Sequence, residues 1–371
     1  MRKVLKHFFL GHPTAVAIVT VSALLICAFV VTGFVSSAYK NKQRALGEHN
    51  YQWGIWHQSH GQTEAAISEF RKALLYQPDN VSYRISLAAA LVAVGRLSEA
   101  HAHLEQLLQE NPTDGLINLM MARVELREHQ PQKALSYYER AVYGYWPASQ
   151  LSQRRQARWE LVHLLAQLGD RNAEIAELMQ LNASAPPNEP GDRPKIGFLL
   201  LQNGAVSEAS QIFHTLARSF PHDAEVYRGL GQIAFLSGEF VTARHDFERA
   251  LHLDAHDMES AQALKLTETV IHLDPVLPGI GVAERLRRSQ NLLNRVLDDL
   301  EQCLEGRQAP NPVAQDIAAA TKLLSAKAAP EGDLIWQRED LAQQLWKDAA
   351  KVCGAVPDDK AVETVLARMG T

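Results

Sequence analysis

The sequence predicts an all-α protein, with a body of stacked helix pairs and a single membrane-spanning helix at the amino end. Two observations carry this prediction. Small residues recur every 34 positions through much of the chain, and an uncharged apolar run of 24 residues lies near the amino terminus. A fixed period of about that length indicates one repeated helix pair, and stacked pairs offer a binding surface rather than a catalytic pocket.

Composition limits the kind of partner that such a surface would bind. The chain has 371 residues and a formal net charge of −5. Binding to phosphates needs a basic face, so this charge argues against nucleic acid as a partner. A stack of repeats can exceed the roughly 100–200 residues of a typical single core, because each repeat packs only on its neighbours.

The first element is a predicted transmembrane helix over 15–38, which follows a short basic tail at 1–14 and contains no charged residue. At about 1.5 Å per residue it is about 36 Å long, enough to cross a hydrocarbon core of about 30 Å. We interpret it as an uncleaved signal anchor, because it is longer than the roughly 7–15 apolar residues of a signal peptide. A cleaved signal peptide is the alternative, since Ser36, Ser37 and Ala38 are small enough for cleavage. 

Membrane orientation depends on the charges that flank this helix. Three basic side chains lie on each side of the run, so the positive-inside rule hardly decides between the two orientations. The free amine adds one charge to the short basic tail, which favours the tail in the cytoplasm and the repeats on the extracytoplasmic (periplasmic) side. Bulky Ile26 before Cys27 is unlike a lipoprotein signal.

Residues 39–46 are predicted as a linker, and six repeats follow it over 47–257. The recurring small residue is placed at position 20 of each repeat. Repeats 1 to 6 then have these ranges: 47–80, 81–114, 115–148, 155–188, 190–223 and 224–257. Six residues are inserted between repeats 3 and 4, and the other neighbouring repeats lie at or close to the 34-residue spacing.

A few positions of the repeat explain how each helix pair closes. Position 15 is a glycine that ends the first helix. It holds Gly61, Gly95, Gly169, Gly204 and Gly238. Small residues at positions 8 and 20, such as Gly54 and Ala66 in repeat 1, let the two helices approach closely. A large side chain at position 24 fills the space towards the next repeat, and proline at position 32 ends the second helix.

This pattern resembles the tetratricopeptide repeat (TPR) family over about 47–257. Repeat 1 carries Trp53, Gly54, Ala66, Phe70, Ala73 and Pro78 at the family's positions. Repeat 6 carries Tyr227, Leu230, Gly231, Ala243, Phe247 and Ala250. Repeat 4 departs from the pattern with Glu174 at position 20, and repeat 6 has Ala255 in place of proline. The resemblance implies a right-handed superhelix whose concave groove is lined by the first helices.

The resemblance also implies that residues near repeat positions 2, 5, 9, 12 and 13 face the groove. We expect a protein partner to contact Tyr51, Ile55, Ile85, Leu119, Arg123, Arg127, Trp159, Phe198, Leu201, Arg228 and Phe235. Family members that grip a terminal carboxylate use Lys and Asn there, whereas this groove is apolar with scattered arginines. Such a groove suits a peptide or an amphipathic helix. The alternative is that these side chains pack against the chain's own carboxy-terminal helices.

Two segments follow the repeats. Residues 258–275 predict an amphipathic helix that caps the last apolar face of the stack. Residues 276–371 predict a further helical region with four helices and no recognised pattern. Cys303 and Cys353 lie there, and they can form a disulfide if the region is exported. The alternative is that both are small buried apolar residues.

The sequence predicts no catalytic residue, no metal site and no cofactor. It contains no glycine-rich phosphate loop, no G-x-S-x-G and no H-E-x-x-H. We therefore expect a protein that is not an enzyme but a single-pass, membrane-anchored TPR scaffold, which binds protein partners while a membrane or exported complex is assembled. One alternative is that the repeats present substrates to a catalytic carboxy-terminal domain, and another is a homo-oligomeric structural protein.

Overall fold

The first helix of the computed structural model runs without a break from the apolar run into the repeats. This helix, α1, spans Pro13–Ser59, a length of 47 residues. Residues 39–46, predicted as a linker, therefore continue the helix, and they contain neither proline nor glycine to interrupt it. The structure describes residues 13–186, 189–304, 308–325, 331–353 and 358–370.

The amino-terminal part of α1 is long and apolar enough to cross a membrane by its length and composition. Its most apolar window has a mean hydropathy of 2.6, and none of that window is buried. Phe29 is 78% exposed and Phe34 is 75% exposed. An unburied apolar helix near the amino terminus is a feature that membrane anchors and signal sequences share.

The fold is all-α in the described residues, as the sequence predicts, and the chain divides into two compact units, Met1–Glu177 and Leu178–Thr371. After α1, the first unit contains α2 (Thr63–Tyr76), α3 (Val81–Ala93), α4 (Leu97–Glu110), α5 (Gly115–Arg127), α6 (Pro131–Tyr143) and α7 (Leu151–Leu168). A short 3-10 turn at Ala148–Gln150 precedes α7 and occupies part of the predicted insertion. The next helix, α8, spans Arg171–Ala183 and includes the boundary between the units.

The second unit continues with ten described helices or parts of helices after that boundary. Those that follow α8 are α9 (Arg193–Gln202), α10 (Val206–Ser219), α11 (Ala224–Leu236), α12 (Phe240–Leu253), α13 (Met258–Leu273), α14 (Val282–Leu304), α15 (Asn311–Ser325), α16 (Glu331–Cys353) and α17 (Lys360–Met369). Helix α13 lies where the capping helix is predicted, and α14 to α17 are four helices in the region where four are predicted.

The turn inside a helix pair requires a left-handed backbone at repeat position 15. Gly61 has a φ of 73° and Gly238 a φ of 74°, a region that glycine adopts without steric cost. Repeat 3 has His129 at this position, and His129 also adopts a positive φ, of 58°. The geometry of the pair, rather than the glycine alone, therefore sets this turn.

Close helix contact explains the alternation of small and large residues. A Cβ on Gly54 would lie 2.5 Å from the ring of Phe70, and one on Gly231 would lie 2.7 Å from the ring of Phe247. Atoms cannot approach so closely, so both positions must lack a side chain. The large residues at position 24 are all buried, at most 2% exposed: Phe70, Leu104, Tyr138, Phe213 and Phe247.

In the second unit, one apolar core joins the last repeat to the carboxy-terminal helices. It contains Phe240 from α12, Val270 from α13, Leu292 from α14, Leu345 from α16 and Val365 from α17, each at most 2% exposed. The carboxy-terminal helices thus share a core with α12 and α13. This arrangement resembles a continuation of the stack more than a separate domain.

Candidate functional site: two clefts on the first helices

A cleft of about 340 Å³ lies in the first unit between α3, α5, α6 and α7. We call it the N-cleft, and it is lined by Val92, Arg123, Leu126, Arg127, Tyr138, Glu160, His163, Leu164 and Gln167. Tyr138 and Leu164 are each 2% exposed and form its apolar floor, while Leu126 is 37% exposed at its rim. An apolar floor with a few polar groups at the edge is typical of binding pockets.

The Arg123 guanidinium in the N-cleft is already paired within the protein. Its Nε donates to Glu160 Oε2 at 2.9 Å, and its Nη2 donates to Glu160 Oε1 at 2.6 Å. The Tyr138 hydroxyl donates to the same Oε2 at 3.0 Å. The hydrogen bond to Glu160 raises the pKa of Arg123, and burial followed by the Glu160 charge raises the pKa of Tyr138. Both groups therefore stay protonated, and Arg123 is held in place rather than free to grip a partner.

Arg127 provides the unneutralised charge of this cleft. It is exposed at the rim, and no carboxylate among the described residues is within ion-pair distance of it. His163 is also exposed there. The N-cleft thus presents one free cation beside an apolar floor, which favours a ligand with an apolar side chain next to a carboxylate.

A second cleft, of about 350 Å³, lies in the second unit between α11, α12 and α13. We call it the C-cleft, and it is lined by Arg228, Gln232, Phe235, Leu236, Phe247, Glu259, Ala263 and Leu266. Phe247 is 2% exposed at its floor, whereas Leu236 is 53% exposed at its mouth. The two clefts therefore have similar sizes and similar apolar floors.

Arg228 in the C-cleft is surrounded by acidic groups. Its Nη1 lies 3.0 Å from Glu259 Oε2 and 3.4 Å from Asp257 Oδ1, and its Nη2 lies 3.2 Å from Glu225 Oε1. The guanidinium carbon also stands 4.7 Å from the centre of the Phe198 ring, a cation–π distance. Glu259 lines the cleft, whereas Glu225 and Asp257 contact Arg228 from beside it, so the three carboxylates around this one cation give the C-cleft and its border an excess of negative charge.

Asp257 owes its place beside Arg228 to its role at the start of α13. Its Oδ1 accepts hydrogen bonds from the backbone N–H groups of Glu259 and Ser260, each at 3.1 Å. Burial alone would raise the pKa of Asp257, but the hydrogen bonds from Ser260 and the charge of Arg228 lower it overall. An N-cap carboxylate is thus kept ionised next to Arg228.

The structure brings only some of the predicted groove residues into the clefts. Arg123 and Arg127 line the N-cleft, and Arg228 and Phe235 line the C-cleft. Phe235 also packs against the core that contains the carboxy-terminal helices. For this side chain, the alternative contact with the chain's own helices is therefore observed.

The other predicted groove residues lie elsewhere. Leu119 is 2% exposed and Leu201 is 6% exposed, so both are core side chains that no partner reaches. Tyr51 stacks on Tyr83 with ring centres 4.6 Å apart. Four more lie outside the clefts: half-buried Ile85, half-buried Trp159 beside His163, exposed Ile55, and Phe198 on Phe213. Counting positions along one repeat does not show how far packing rotates each first helix about its own axis.

Sequence reasoning missed the acidic residues that set the charge of each cleft. Glu160 lies 37 residues after Arg123, and Glu259 lies 31 residues after Arg228. Both separations are close to one repeat, so each pair joins neighbouring first helices across the stack. A search for opposite charges about one repeat apart would have found them.

In the second unit, Cys303 and Cys353 are joined by a disulfide with their Cα atoms 6.0 Å apart. The bond links the carboxy-terminal ends of α14 and α16. Cys27, the third cysteine, is free and exposed on α1. Within the part of the chain that the structure describes, no group of three or more His, Cys, Asp or Glu side chains is placed to hold a metal ion.

Comparison with known proteins identifies the repeats. Two family models, both described as tetratricopeptide repeats, match residues 58–124 and 196–257. Among solved structures, one similar chain is YrrB, described as a TPR protein with an unusual peptide-binding site. It is 18% identical, with a TM-score of 0.41, and the match covers 53% of this chain and 97% of that one.

Two relatives are similar in sequence over part of the chain. Superkiller complex protein 3 of Mus musculus is 27% identical over 178 residues, which are 46% of this chain and 11% of the relative. Anaphase-promoting complex subunit 3 of Schizosaccharomyces pombe is 26% identical over 148 residues, which are 40% of this chain and 20% of the relative. The matches therefore span only a small part of either relative. The two family models therefore identify tetratricopeptide repeats at 58–124 and at 196–257 of this chain.

Proposed function

We propose that this protein is a membrane-anchored TPR scaffold that binds protein segments in the N-cleft and the C-cleft. The observation that carries the proposal is the pair of clefts, about 340 and 350 Å³ in volume, each with an apolar floor and a charged rim. Such a site accepts one face of an amphipathic helix or an extended peptide. The names of both sequence relatives place them in multiprotein complexes, which supports a role in a complex for this chain, and the apolar part of α1 suggests that this complex is a membrane or exported one.

The same proposal assigns the apolar part of α1 to the bilayer. Its exposed phenylalanines and its mean hydropathy of 2.6 support a span, and lipid would cover the side chains that the protein leaves exposed. We place the repeats outside the cytoplasm. The disulfide between Cys303 and Cys353 supports that side, because disulfides persist in oxidising compartments and are rare in the cytosol.

The shared core of α12, α13 and the carboxy-terminal helices favours a scaffold over a separable catalytic domain. Leu292 and Leu345 from the carboxy-terminal region pack in the same cluster as Phe240 of repeat 6. A region that completes its core with side chains from the repeats is expected to unfold with them.

A charge placed on each cleft rim tests the binding proposal. Leu126→Glu puts a carboxylate beside the apolar floor of the N-cleft, and Leu236→Lys puts an ammonium group beside that of the C-cleft, so that each charge repels the partner that its cleft favours. The matched controls are Leu75→Glu and Val241→Lys, which alter exposed apolar side chains of the same two units outside the clefts. Partners crosslinked to the full-length protein in its own membranes are expected to be lost with the cleft variants only. Equal capture by all four variants would contradict the proposal.

Thiol labelling in intact cells tests the orientation. The full-length chain is treated with a membrane-impermeant maleimide before and after a reductant. If the repeats lie outside the cytoplasm, Cys303 and Cys353 are labelled only after reduction. Protease added to intact cells from outside would then digest the repeats. Protection from that protease, together with free thiols at both positions, would place the repeats in the cytoplasm instead.

A further inference from the structure

An exposed aromatic stripe runs along the end of α1 and into the first turn of the repeats. We define the aromatic stripe as His49, Trp53 and Trp56 of α1 together with His60, the first residue after α1. Trp53 is 45% exposed and Trp56 is 44% exposed. The two indole rings meet edge to face with centres 5.6 Å apart, and the His60 ring stacks on Trp56 at 4.1 Å. A contiguous group of exposed aromatic rings, unlike a single exposed ring, is a feature of surfaces that contact another molecule.

The stripe lies on a different side of α1 from the repeats. Its three helical members, His49, Trp53 and Trp56, are spaced by four and three residues, which places them on one face of the helix. The His60 ring joins that face by stacking on Trp56 from the turn that follows. Gly54, one residue after Trp53, instead packs against Phe70 of α2. A spacing that alternates three and four residues is the one that two helices use when they pack side by side along a seam.

The distance between the apolar run and the aromatic stripe excludes lipid as the surface that covers the stripe. Trp53 lies 15 residues beyond Ala38, the last residue of the apolar run, which is about 22 Å along a helix. The headgroup region adds only about 5–8 Å on each side of the hydrocarbon core. With α1 crossing the bilayer near its normal, the stripe therefore lies in water above the membrane.

We propose that the aromatic stripe packs against the same stripe of a second copy of this chain, with the two α1 helices parallel. The proposal rests on the proposed anchoring of α1, because the bilayer holds both copies parallel and at one height. A two-fold contact places each residue near its own equivalent, so like charges would repel. None of the four stripe residues is Lys, Arg, Asp or Glu, so the stripe is self-complementary in this respect.

The size of the stripe indicates why the anchor matters to this contact. Two half-exposed indoles and two imidazoles offer less than the about 800 Å² per partner that a stable soluble complex buries. Confinement of both copies to one membrane raises their effective concentration and compensates for the small area. The contact is therefore expected in the membrane and not between dilute copies free in solution.

Cysteine crosslinking of the full-length chain in membranes tests the proposal. The Cys27→Ser background removes the free thiol of α1, and Cys303 and Cys353 stay bonded to each other. His49→Cys and His60→Cys place thiols on the stripe and keep both indoles. Their neighbours Glu48→Cys and Ser59→Cys are the matched controls, and both lie on α1 rotated away from the stripe face. We expect crosslinked dimers from the two stripe positions and not from the two controls.

A second variant links the crosslink to the indoles. In the His60→Cys chain, Trp53→Ala with Trp56→Ala is expected to abolish the dimer, whereas Leu75→Ala, which removes an 80% exposed leucine of α2, is expected to leave it unchanged. Equal crosslinking on and off the stripe, or crosslinks to a different protein only, would overturn the proposal. Extraction of the same membranes with alkaline carbonate separates the two failures. A chain that remains in the membrane but does not crosslink contradicts the dimer, and a chain that is released contradicts the anchor.

Discussion

The N-cleft and the C-cleft are built alike but carry opposite charge. Each has an aromatic floor at repeat position 24, Tyr138 in one and Phe247 in the other, and each has an arginine from a first helix on its wall. In the N-cleft two arginines face one carboxylate. In the C-cleft one arginine faces three. The repeat thus sets the shape of each cleft, whereas charged side chains from neighbouring helices set the charge of the ligand that the cleft favours.

A single hydroxyl contributes to this difference. The Tyr138 hydroxyl holds Glu160, which in turn holds Arg123 with two hydrogen bonds. Phe247 has no such group, and Arg228 is oriented instead by the acidic start of α13 and by the Phe198 ring.

If the aromatic floor of each cleft supports the fold equally, Phe247→Ala should strongly reduce the free energy of unfolding. Phe247 is fully packed against Gly231, so its loss leaves a cavity and removes apolar burial. We expect the free energy of unfolding to fall by about 3–5 kcal/mol, as for other buried aromatic residues. Urea unfolding of the full-length protein, followed by circular dichroism, measures this. A loss below about 1 kcal/mol would show that Phe247, the floor of the C-cleft, contributes little to the stability of the protein.

Glu160→Gln tests whether the N-cleft depends on its one carboxylate. The variant keeps the shape but leaves the partly buried Arg123 without a counter-charge, and Tyr138 with a weaker acceptor. We expect the free energy of unfolding to fall by about 1–3 kcal/mol. The control is Arg127→Gln at the exposed rim, for which less than about 0.5 kcal/mol is expected. Equal losses of stability in the two variants would show that the ion pair between Arg123 and Glu160 does not stabilise the N-cleft.

Two synthetic amphipathic helices test the difference in charge directly. They share one apolar face and carry either glutamates or lysines on the other. The N-cleft should prefer the acidic peptide and the C-cleft the basic one, so Arg127→Glu weakens the first and Glu259→Lys the second. An effect of about 1 kcal/mol corresponds to roughly a fivefold change in Kd. Fluorescence anisotropy at low and high salt measures both, and one preference shared by both clefts would break the comparison.

The smallest effect concerns Asp257. Its pKa is lowered from 3.8 in the folded protein, so its ionised form adds stability above that pH, and this stability is lost as the pH falls through the folded value. Asp257→Asn keeps an N-cap but removes the charge beside Arg228. We expect a loss of at most about 1 kcal/mol at pH 7 and none in acid.

Asp114 provides the matched control for this prediction. It occupies the same repeat position and caps α5 through a hydrogen bond from Ile117 N at 3.0 Å. Among the described residues, no basic side chain is paired with it. At pH 7, Asp114→Asn should therefore cost less stability than Asp257→Asn. Equal losses for the two variants would mean that Arg228 adds nothing to the stability of the C-cleft.

Much of the fold was readable from the sequence, because its signals are local. The all-α class and the repeats are confirmed, and the glycines at Gly61 and Gly238 adopt the turn that their position in the pattern predicts. The pairing of Gly54 with Phe70 also follows from the spacing of small and large residues. The extent of the individual domains and the groove residues as a set stay predictions.

The chemistry of the clefts was less readable, because it depends on contacts between repeats. Leu119 fits the groove positions by number, yet it is 2% exposed in the core. Trp53 fits the family pattern and is nevertheless half-exposed on the aromatic stripe. The rotation of each first helix is set by its neighbours, and a repeat pattern taken alone does not contain that rotation.

The unbroken course of α1 has a mechanical consequence. Between the end of the apolar run and Leu46, α1 contains neither proline nor glycine at which the helix could bend. A rotation of its amino-terminal half about the helix axis therefore turns repeat 1 through the same angle. Each added residue rotates the direction of the next side chain by about 100° around the helix axis, and the 47 residues of α1 span about 70 Å. Under the proposed anchoring of α1, the number of residues between the bilayer and Gly47 therefore sets the direction in which the first repeat faces.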